Sequence, residues 1–321
     1  MRPTGQLHLG HLVGALKNWV ELQERYECFY FVADWHALTS EYASTGGITG
    51  YALDNVADWI AAGVDPERST IFVQSLVPEH AELYLLLSMV VPIPWLERVP
   101  TYKEQREQLS EKDLSTLGFL GYPLLQTADV AMYDGRFVPV GEDQVPHLEL
   151  SREVVRRFNQ FYGEALVEPQ PLLTPVPRLP GIDNRKMSKS YGNTIDLTDA
   201  AEMIVKKVRQ MYTDPKRIRA DIPGTVEGNP VFMYHDAFNR DVAEVEDLKA
   251  RYRAGAVGDV EVKTKLARAL NATLEPMRER RREIMTKPDR IRDIAVEGSR
   301  RARTIAQVTL ERVRDAVKLR Y

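Results

Sequence analysis

The sequence predicts an α/β protein in which a doubly wound parallel sheet is followed by a smaller all-helical domain. Two observations lead to this fold class. In the first half, short apolar runs alternate with segments of helical spacing, and past residue 199 helical patterns dominate. Strands separated by helices form a parallel sheet with right-handed crossovers, as in a Rossmann-like domain. Such sheets bind ligands at the carboxyl ends of their strands, so we expect the chemistry there.

Each predicted element follows from its local pattern. Apolar runs predict buried strands at Cys28–Ala33, Thr70–Gln74 and Phe137–Val140. Helical spacing predicts helices over Leu12–Leu22, Tyr51–Ala62, His147–Phe161, Ala200–Tyr212, Val242–Tyr252, Val262–Lys287 and Ser299–Leu319. Residues 169–180 contain five prolines, which lack an amide donor and restrict the preceding residue, so this stretch is predicted to be an extended connector.

These elements divide the chain into two domains. We expect a Rossmann-like catalytic domain over residues 1–195 and a helical domain over residues 196–295. The helix of about residues 299–321 is expected to pack back on the first domain.

Composition excludes several classes of protein. The chain has 321 residues, of which 44% are hydrophobic and 28% charged, the balance of an ordinary globular protein rather than a disordered or fibrous one. Its single cysteine, Cys28, excludes an intrachain disulfide and an iron–sulfur or zinc site of several cysteines. No apolar run is long enough to span a bilayer, so we expect a cytoplasmic protein without membrane contact.

Net charge is −3, which argues against a protein dominated by nucleic-acid binding. The charge is uneven, because residues 270–321 hold 14 Lys and Arg against 8 Asp and Glu. Such a region can contact phosphates, although a solvated helix face is the commoner explanation of a charge run.

A first candidate site lies near the N-terminus. His8 and His11 are three residues apart, on one face of a helix, with Gly10 between them. Imidazoles beside the free amides of a helix N-terminus suit phosphate groups. Two exposed histidines and a packing glycine would explain this stretch equally well.

A second candidate is the pentamer Lys186–Ser190, which follows the proline-rich stretch. At average amino-acid usage, this pentamer arises by chance in about one chain in ten thousand of this length. Two lysines three apart on a flexible loop can neutralise a polyphosphate and close over it. A solubilising surface turn is the alternative.

Two further candidates follow predicted elements. Gly141 lets the backbone approach a ligand after a strand, and Glu142 and Asp143 can accept hydrogen bonds from ribose hydroxyls or begin the next helix. Asp129 lies in an apolar helical run that offers no cation in sequence, so it needs a partner. That partner is a ligand N–H or an internal ion pair.

Taken together, these motifs resemble class I aminoacyl-tRNA synthetases. His8–His11 resembles the first signature of that class, and Lys186–Ser190 is its second signature, unaltered. The stretch from Val138 to Asn159 resembles the tryptophanyl-tRNA synthetase family most. The resemblance implies that the protein activates L-tryptophan with ATP and Mg²⁺ and charges tRNA(Trp). It further implies a homodimer whose helical domain, residues 196–295, recognises the anticodon, with no metal held by protein side chains. Some relatives carry an iron–sulfur cluster in that domain, and the single cysteine leads us to expect none here.

The resemblance also assigns roles to individual residues. It assigns catalysis to His8, His11, Lys186 and Lys189. It assigns ATP binding to Arg2, Pro3, Thr4, Gly10, His11, Gly141, Glu142, Asp143, Leu179, Lys186, Met187, Ser188, Lys189 and Ser190. It assigns tryptophan binding to Asp129, as acceptor for the indole N–H, and to Tyr122, Gln126, Val138, Val140 and Gln144. Arg2 stands where many relatives have glutamine and Gln126 where many have methionine. Family members usually have a strand before the turn at Pro3, and the sequence leaves open whether one exists here.

Two alternative functions remain open from the sequence. A tyrosine-activating enzyme of the same class could use Asp129 as acceptor for a phenol. A paralogue that binds ATP and tryptophan without charging tRNA would not need both signatures intact. We also expect part of the apolar run from Leu83 to Leu96 to be buried between two subunits, and some of Arg278, Arg280, Arg281 and Arg282 to lie near tRNA.

Overall fold

The computed structural model describes residues 1–99, 102, 113–173 and 179–321. The strands are β1 (Cys28–Val32), β2 (Ser69–Val73), β3 (Phe137–Val140) and β4 (Gln170–Leu173). The helices of the first half are α1 (Leu9–His11), α2 (Lys17–Leu22), α3 (Asp34–Glu41), α4 (Ile48–Ala62), α5 (Glu79–Ser88), α6 (Ile93–Glu97), α7 (Leu117–Ala131) and α8 (Val145–Tyr162). Those of the second half are α9 (Ala201–Arg209), α10 (Pro230–Phe238), α11 (Val242–Arg253), α12 (Asp259–Met285) and α13 (Pro288–Ala316). A π-helical turn joins α1 to α2 at Leu12–Leu16, and short 3-10 turns lie at Gln74–Leu76, Glu142–Gln144 and Lys189–Tyr191.

The three predicted strands are confirmed to within one residue at each end. The extended connector is wrong in part, because residues 170–173 form β4 and pair with β3 in parallel, from Phe137 opposite Gln170 to Val140 opposite Leu173. Pro171 is tolerated there because β4 has a strand on one side only among the described residues. The last predicted helix begins at Pro288 rather than Ser299, since proline suits the first turn of a helix.

Among the described residues, the parallel strands form two pairs. β1 pairs with β2, from Cys28 opposite Ser69 to Val32 opposite Val73. Between β1 and β3 lies a cavity of about 430 Å³ whose lining includes Phe29 and Val138. At one end of this cavity the Met1 ammonium donates to the Phe31 carbonyl at 2.6 Å, and the Met1 carbonyl accepts from the Ala33 amide at 2.9 Å. One rung of a further parallel ladder is therefore present beside β1.

Helix α13 packs directly on β2. A Cβ atom on Gly298 would lie 1.8 Å from the Ile71 carbonyl oxygen, so only glycine allows this approach. Beside it, the Ser299 hydroxyl accepts a hydrogen bond from the Val73 amide at 3.2 Å. The C-terminal helix thus covers one face of the strand pair whose carboxyl end carries the site.

The helical part is joined to the α/β part by α12. Arg281 on α12 pairs with Asp58 at 2.6 Å and with Asp54 at 2.9 Å, both on α4. Arg280 donates to the Ala61 carbonyl at 2.7 Å. Arg280 and Arg281 therefore hold α12 against α4, and the expectation that some of Arg278, Arg280, Arg281 and Arg282 lie near tRNA stays a prediction.

Candidate active site

The N-terminal histidine motif forms the first turn of α1. His8 is the N-cap, and its Nδ1 accepts a hydrogen bond from the Gly10 amide at 3.1 Å. The Nδ1 of His11 accepts from the His8 amide, also at 3.1 Å, so the two side chains form a reciprocal capping box. The two rings lie 3.9 Å apart.

Burial keeps both rings neutral, and the capping hydrogen bonds decide which nitrogen of each ring carries the proton. Burial lowers the pKa of His8 to about 4, and burial, followed by the proximity of His8 and Lys189, lowers the pKa of His11 to about 3. Both imidazoles are therefore neutral at pH 7. Because each Nδ1 accepts a hydrogen bond, the single proton of each ring is on Nε2, where it can be donated to a ligand oxygen.

The N-terminal histidine motif and the lysine loop, which were predicted separately from sequence, lie close together in the structure. Lys189 Nζ lies 3.4 Å from the Thr4 carbonyl oxygen, although 185 residues separate them in sequence. A Cβ on Gly10 would contact the Met187 sulfur at 3.1 Å, and one on Gly5 would contact Lys189 Nζ at 3.3 Å. Burial lowers the pKa of Lys189.

An asparagine that sequence reasoning missed holds the lysine loop in place. Asn193 accepts from the Ser188 amide at 2.8 Å and donates to the Lys186 carbonyl at 3.1 Å. It also donates to the Asp183 carboxylate at 2.8 Å. Its position directly after Gly192 was the available signal, because asparagine commonly stabilises loops through hydrogen bonds to the backbone.

The turn after β3 joins the strand to the next helix, as the order of residues in the sequence predicts. Gly141 ends the strand, and Glu142, Asp143 and Gln144 form a 3-10 turn that leads into α8. The side chains of Glu142 and Gln144 are exposed.

The remaining residues predicted to bind ATP lie at the N-terminus, just before the lysine loop and at its end. Arg2 and Thr4 are exposed and Pro3 is buried. Leu179 is partly buried and packs against buried hydrophobic side chains. Ser190 lies in the 3-10 turn that ends the lysine loop. Their roles toward ATP remain predictions.

Of the two kinds of partner that the sequence left open for Asp129, the internal one is present, and the role of Asp129 toward tryptophan stays a prediction. Its carboxylate accepts hydrogen bonds from His36 at 2.8 Å, Gln74 at 2.7 Å and His80 at 2.7 Å. Burial alone would raise the pKa of Asp129, but the hydrogen bonds from His36 and His80 outweigh it and hold that pKa below its ordinary range. Asp129 is therefore an ionised acceptor without help from a ligand.

Sequence reasoning missed these three partners, although a signal existed. Gln74 directly follows β2, and His36 lies in the first turn after β1. The carboxyl ends of neighbouring parallel strands meet at one edge of a sheet, so polar residues at both ends converge.

The other predicted tryptophan-binding residues lie on α7, on β3 and, for Gln144, in the turn after β3. Three of the predicted residues share one face of α7, because they are spaced four and three residues apart: Tyr122, Gln126 and Asp129. The Tyr122 hydroxyl lies 3.3 Å from His147 Nε2. Val140 is buried and Val138 half-buried in β3.

Two features are absent from the described part of the chain. No group of three or more histidine, cysteine or acidic side chains there is arranged to hold a metal ion. None of the described helices is both long and apolar enough to cross a bilayer.

Comparison with known proteins agrees with this arrangement of motifs. The family described as tRNA synthetases class I (W and Y) matches residues 1–275. The protein is therefore a class I aminoacyl-tRNA synthetase. The tryptophan–tRNA ligase of Thermotoga maritima is 50% identical over 322 residues, covering 100% of this chain and 98% of the relative. That of Aquifex aeolicus is 43% identical, covering 99% and 98%. Within its class, the chain belongs to the tryptophanyl-tRNA synthetase family.

Solved structures confirm the fold class. Tryptophanyl-tRNA synthetase from Campylobacter jejuni, crystallised with ADP and tryptophan, has a TM-score of 0.88 at 32% identity and covers 99% of this chain and 98% of its own. Tyrosyl-tRNA synthetase from Archaeoglobus fulgidus, crystallised with L-tyrosine, reaches 0.68 at 25% identity, with 88% of each chain covered.

Proposed function

We propose that this protein condenses L-tryptophan with ATP to tryptophanyl-adenylate and pyrophosphate, and transfers the tryptophanyl group to tRNA(Trp). The observation that carries the proposal is the meeting of Lys189 with the turn at Thr4, beside the neutral histidine pair. Full-length relatives that are tryptophan–tRNA ligases support the choice of amino acid.

Adenylate formation is an in-line displacement at the α-phosphate by a carboxylate that is already a nucleophile. The step needs no general base, so positioning and charge stabilisation must supply the rate. In this site, the Nε2–H groups of His8 and His11 are placed to donate to phosphate oxygens. Lys186 and Lys189 place positive charge on the loop that closes over the phosphates. Mg²⁺ enters with ATP as part of the substrate.

The lysine loop gives the sharpest test. Lys189→Ala should lower tryptophan-dependent pyrophosphate exchange by about 10²-fold, because a charge contact made in the transition state typically contributes a few kcal/mol. Tryptophan binding without ATP should barely change. Lys206→Ala, an exposed lysine on α9, is the matched control and should leave both unchanged. Equal losses of tryptophan affinity and rate in Lys189→Ala would refute the assignment.

Two comparisons separate this function from its alternatives. An amino-acid panel in the exchange assay distinguishes tryptophan from tyrosine activation. Charging of tRNA(Trp) by the purified protein distinguishes a synthetase from a paralogue that only binds ATP and tryptophan.

We also propose that the protein is a cytoplasmic homodimer. Leu83 and Leu87 on α5 are buried among other hydrophobic side chains, whereas three residues of the same apolar run are exposed: Leu85, Met89 and Ile93. Adjacent exposed apolar side chains of this kind indicate a protein surface covered by a partner, and two-fold dimers are the commonest assembly. Sedimentation as a monomer at micromolar concentration would refute the dimer.

A further inference from the structure

The two oxygens of the Asp129 carboxylate are not used equally. Within the described part of the chain, Oδ1 accepts from both Gln74 Nε2 and His80 Nδ1, each at 2.7 Å, whereas Oδ2 accepts from His36 Nε2 alone at 2.8 Å. A carboxylate offers about four acceptor positions, two on each oxygen. Oδ1 is therefore saturated, and Oδ2 has one position left.

The remaining position lies on the more open side of the carboxylate. The His80 side chain is fully buried, whereas that of His36, the partner of Oδ2, is 12% exposed. A ligand donor can thus reach Oδ2 without displacing His80 or Gln74.

His80 is itself held by a second partner. Its Nε2 lies 2.6 Å from the hydroxyl of Tyr133, whose ring stacks on Phe29 of β1 at 4.8 Å. Burial and the nearby Asp129 charge raise the pKa of Tyr133, so its hydroxyl keeps its proton. Because the ionised Asp129 carboxylate can only accept, Nδ1 of His80 donates to it, and Nε2 faces the Tyr133 hydroxyl.

We propose that His80, oriented by Tyr133, is a positioning residue for amino-acid selection. It occupies Oδ1 of Asp129 and leaves a single acceptor position, on Oδ2, for the one N–H donor of the substrate side chain. The inference rests on the proposed function, because it names the residue and the oxygen through which that function selects its amino acid. A side chain without a donor would leave this buried acceptor position unpaired, which costs affinity.

Tyr133→Phe tests this relation with little disturbance, because it removes one hydroxyl and keeps the ring that stacks on Phe29. The substrates are tryptophan and its analogue in which sulfur replaces the ring N–H. We expect kcat/KM for tryptophan to fall by about tenfold, mainly through a higher KM. For the analogue, which makes no hydrogen bond to Asp129, kcat/KM should change by less than about twofold.

Two variants of His80 provide a second measurement. His80→Asn can place its amide nitrogen where Nδ1 lies, whereas His80→Leu cannot donate, so asparagine should retain more of the preference for tryptophan over the analogue. His235→Asn is the matched control. His235 is also fully buried, with its ring nitrogens near the Val262 carbonyl and Asn239, and it lies in the helical part. It should change stability but leave the preference unchanged.

The tautomer gives a readout that does not require activity. Ring-nitrogen chemical shifts of His80 in the unaltered protein should show the proton on Nδ1, and the proton on Nε2 would overturn the proposal. An equal loss for tryptophan and the analogue in Tyr133→Phe would reduce His80 to a structural role. Absence of tryptophan-dependent exchange in the unaltered protein would overturn the proposed function, and this inference with it.

Discussion

Gly10 is the position at which one methyl group should impair catalysis without unfolding the protein. A Cβ at Gly10 would lie 2.9 Å from both Cε1 and Nδ1 of the His8 ring and 3.1 Å from the Met187 sulfur. Ordinary carbon contacts begin near 3.5 Å, so the ring must move by about half an ångström or more. Gly10→Ala therefore displaces the His8 ring and presses on the lysine loop at once.

The size of the effect follows from these displacements. Moving His8 weakens the N-cap bond to the Gly10 amide, which stabilises the helix by about 1 kcal/mol. Misplacing a group that positions substrate by about 1 Å can cost about 10²-fold in rate. We therefore expect kcat for tryptophan-dependent pyrophosphate exchange to fall by about 10- to 100-fold, while the melting temperature falls by only a few degrees.

Gly50→Ala is the control, because a Cβ at Gly50 on α4 meets nothing within 4 Å. It should leave both rate and melting temperature nearly unchanged. If Gly10→Ala kept kcat and KM for ATP within about twofold of the unaltered protein, the close contact between His8 and the lysine loop would have no catalytic importance.

Three further measurements test other features. Burial lowers the pKa of His8 to about 4 from 6.5 in the unfolded chain, so between these values the unfolded state binds more protons and the free energy of unfolding falls as pH decreases. In urea titrations across this range, His8→Asn, which keeps an N-capping side chain, should make that fall shallower; an unchanged slope would contradict the assignment. Gly298→Ala should destabilise the protein by about 3 kcal/mol, because its Cβ would clash with the Ile71 carbonyl, and an unchanged melting temperature would refute this. Lys263→Met should lower the melting temperature by several degrees, because the buried ammonium donates to the Met211 carbonyl at 2.6 Å and to the Thr213 hydroxyl at 2.7 Å, and an unchanged melting temperature would contradict this.

The elements that could be predicted are those whose local residue pattern determines their secondary structure. Strands β1, β2 and β3 are runs of apolar and β-branched residues, and the periodic helices of the second half follow from spacing alone. The resemblance assigned Lys189 and Thr4 to the same ATP site, but their contact was not predicted from any local pattern.

What the sequence did not predict depends on contacts between distant elements. Strand β4 was hidden by its proline, because intrinsic propensity is a weak guide where a neighbouring strand supplies the hydrogen bonds. Asp129 was expected to need a ligand because its neighbours in sequence are apolar, whereas its partners come from three other elements. Arg281, one of four arginines of which some were expected near tRNA, has carboxylates on α4 as its partners, and these lie 223 and 227 residues away in sequence.

The packing of α13 on β2 affects the order in which the protein can fold as it is synthesised. Val73 and Ser299, which meet through a hydrogen bond, are 226 residues apart. At about 5–20 residues per second, a ribosome needs about 10 to 45 seconds to cover that distance. Until α13 is synthesised, Phe72 of β2 and Leu83 of α5 lack Ala302 and Leu310, which belong to the same buried hydrophobic cluster. The first half of the nascent chain therefore exposes this apolar surface for many seconds before the last helix covers it.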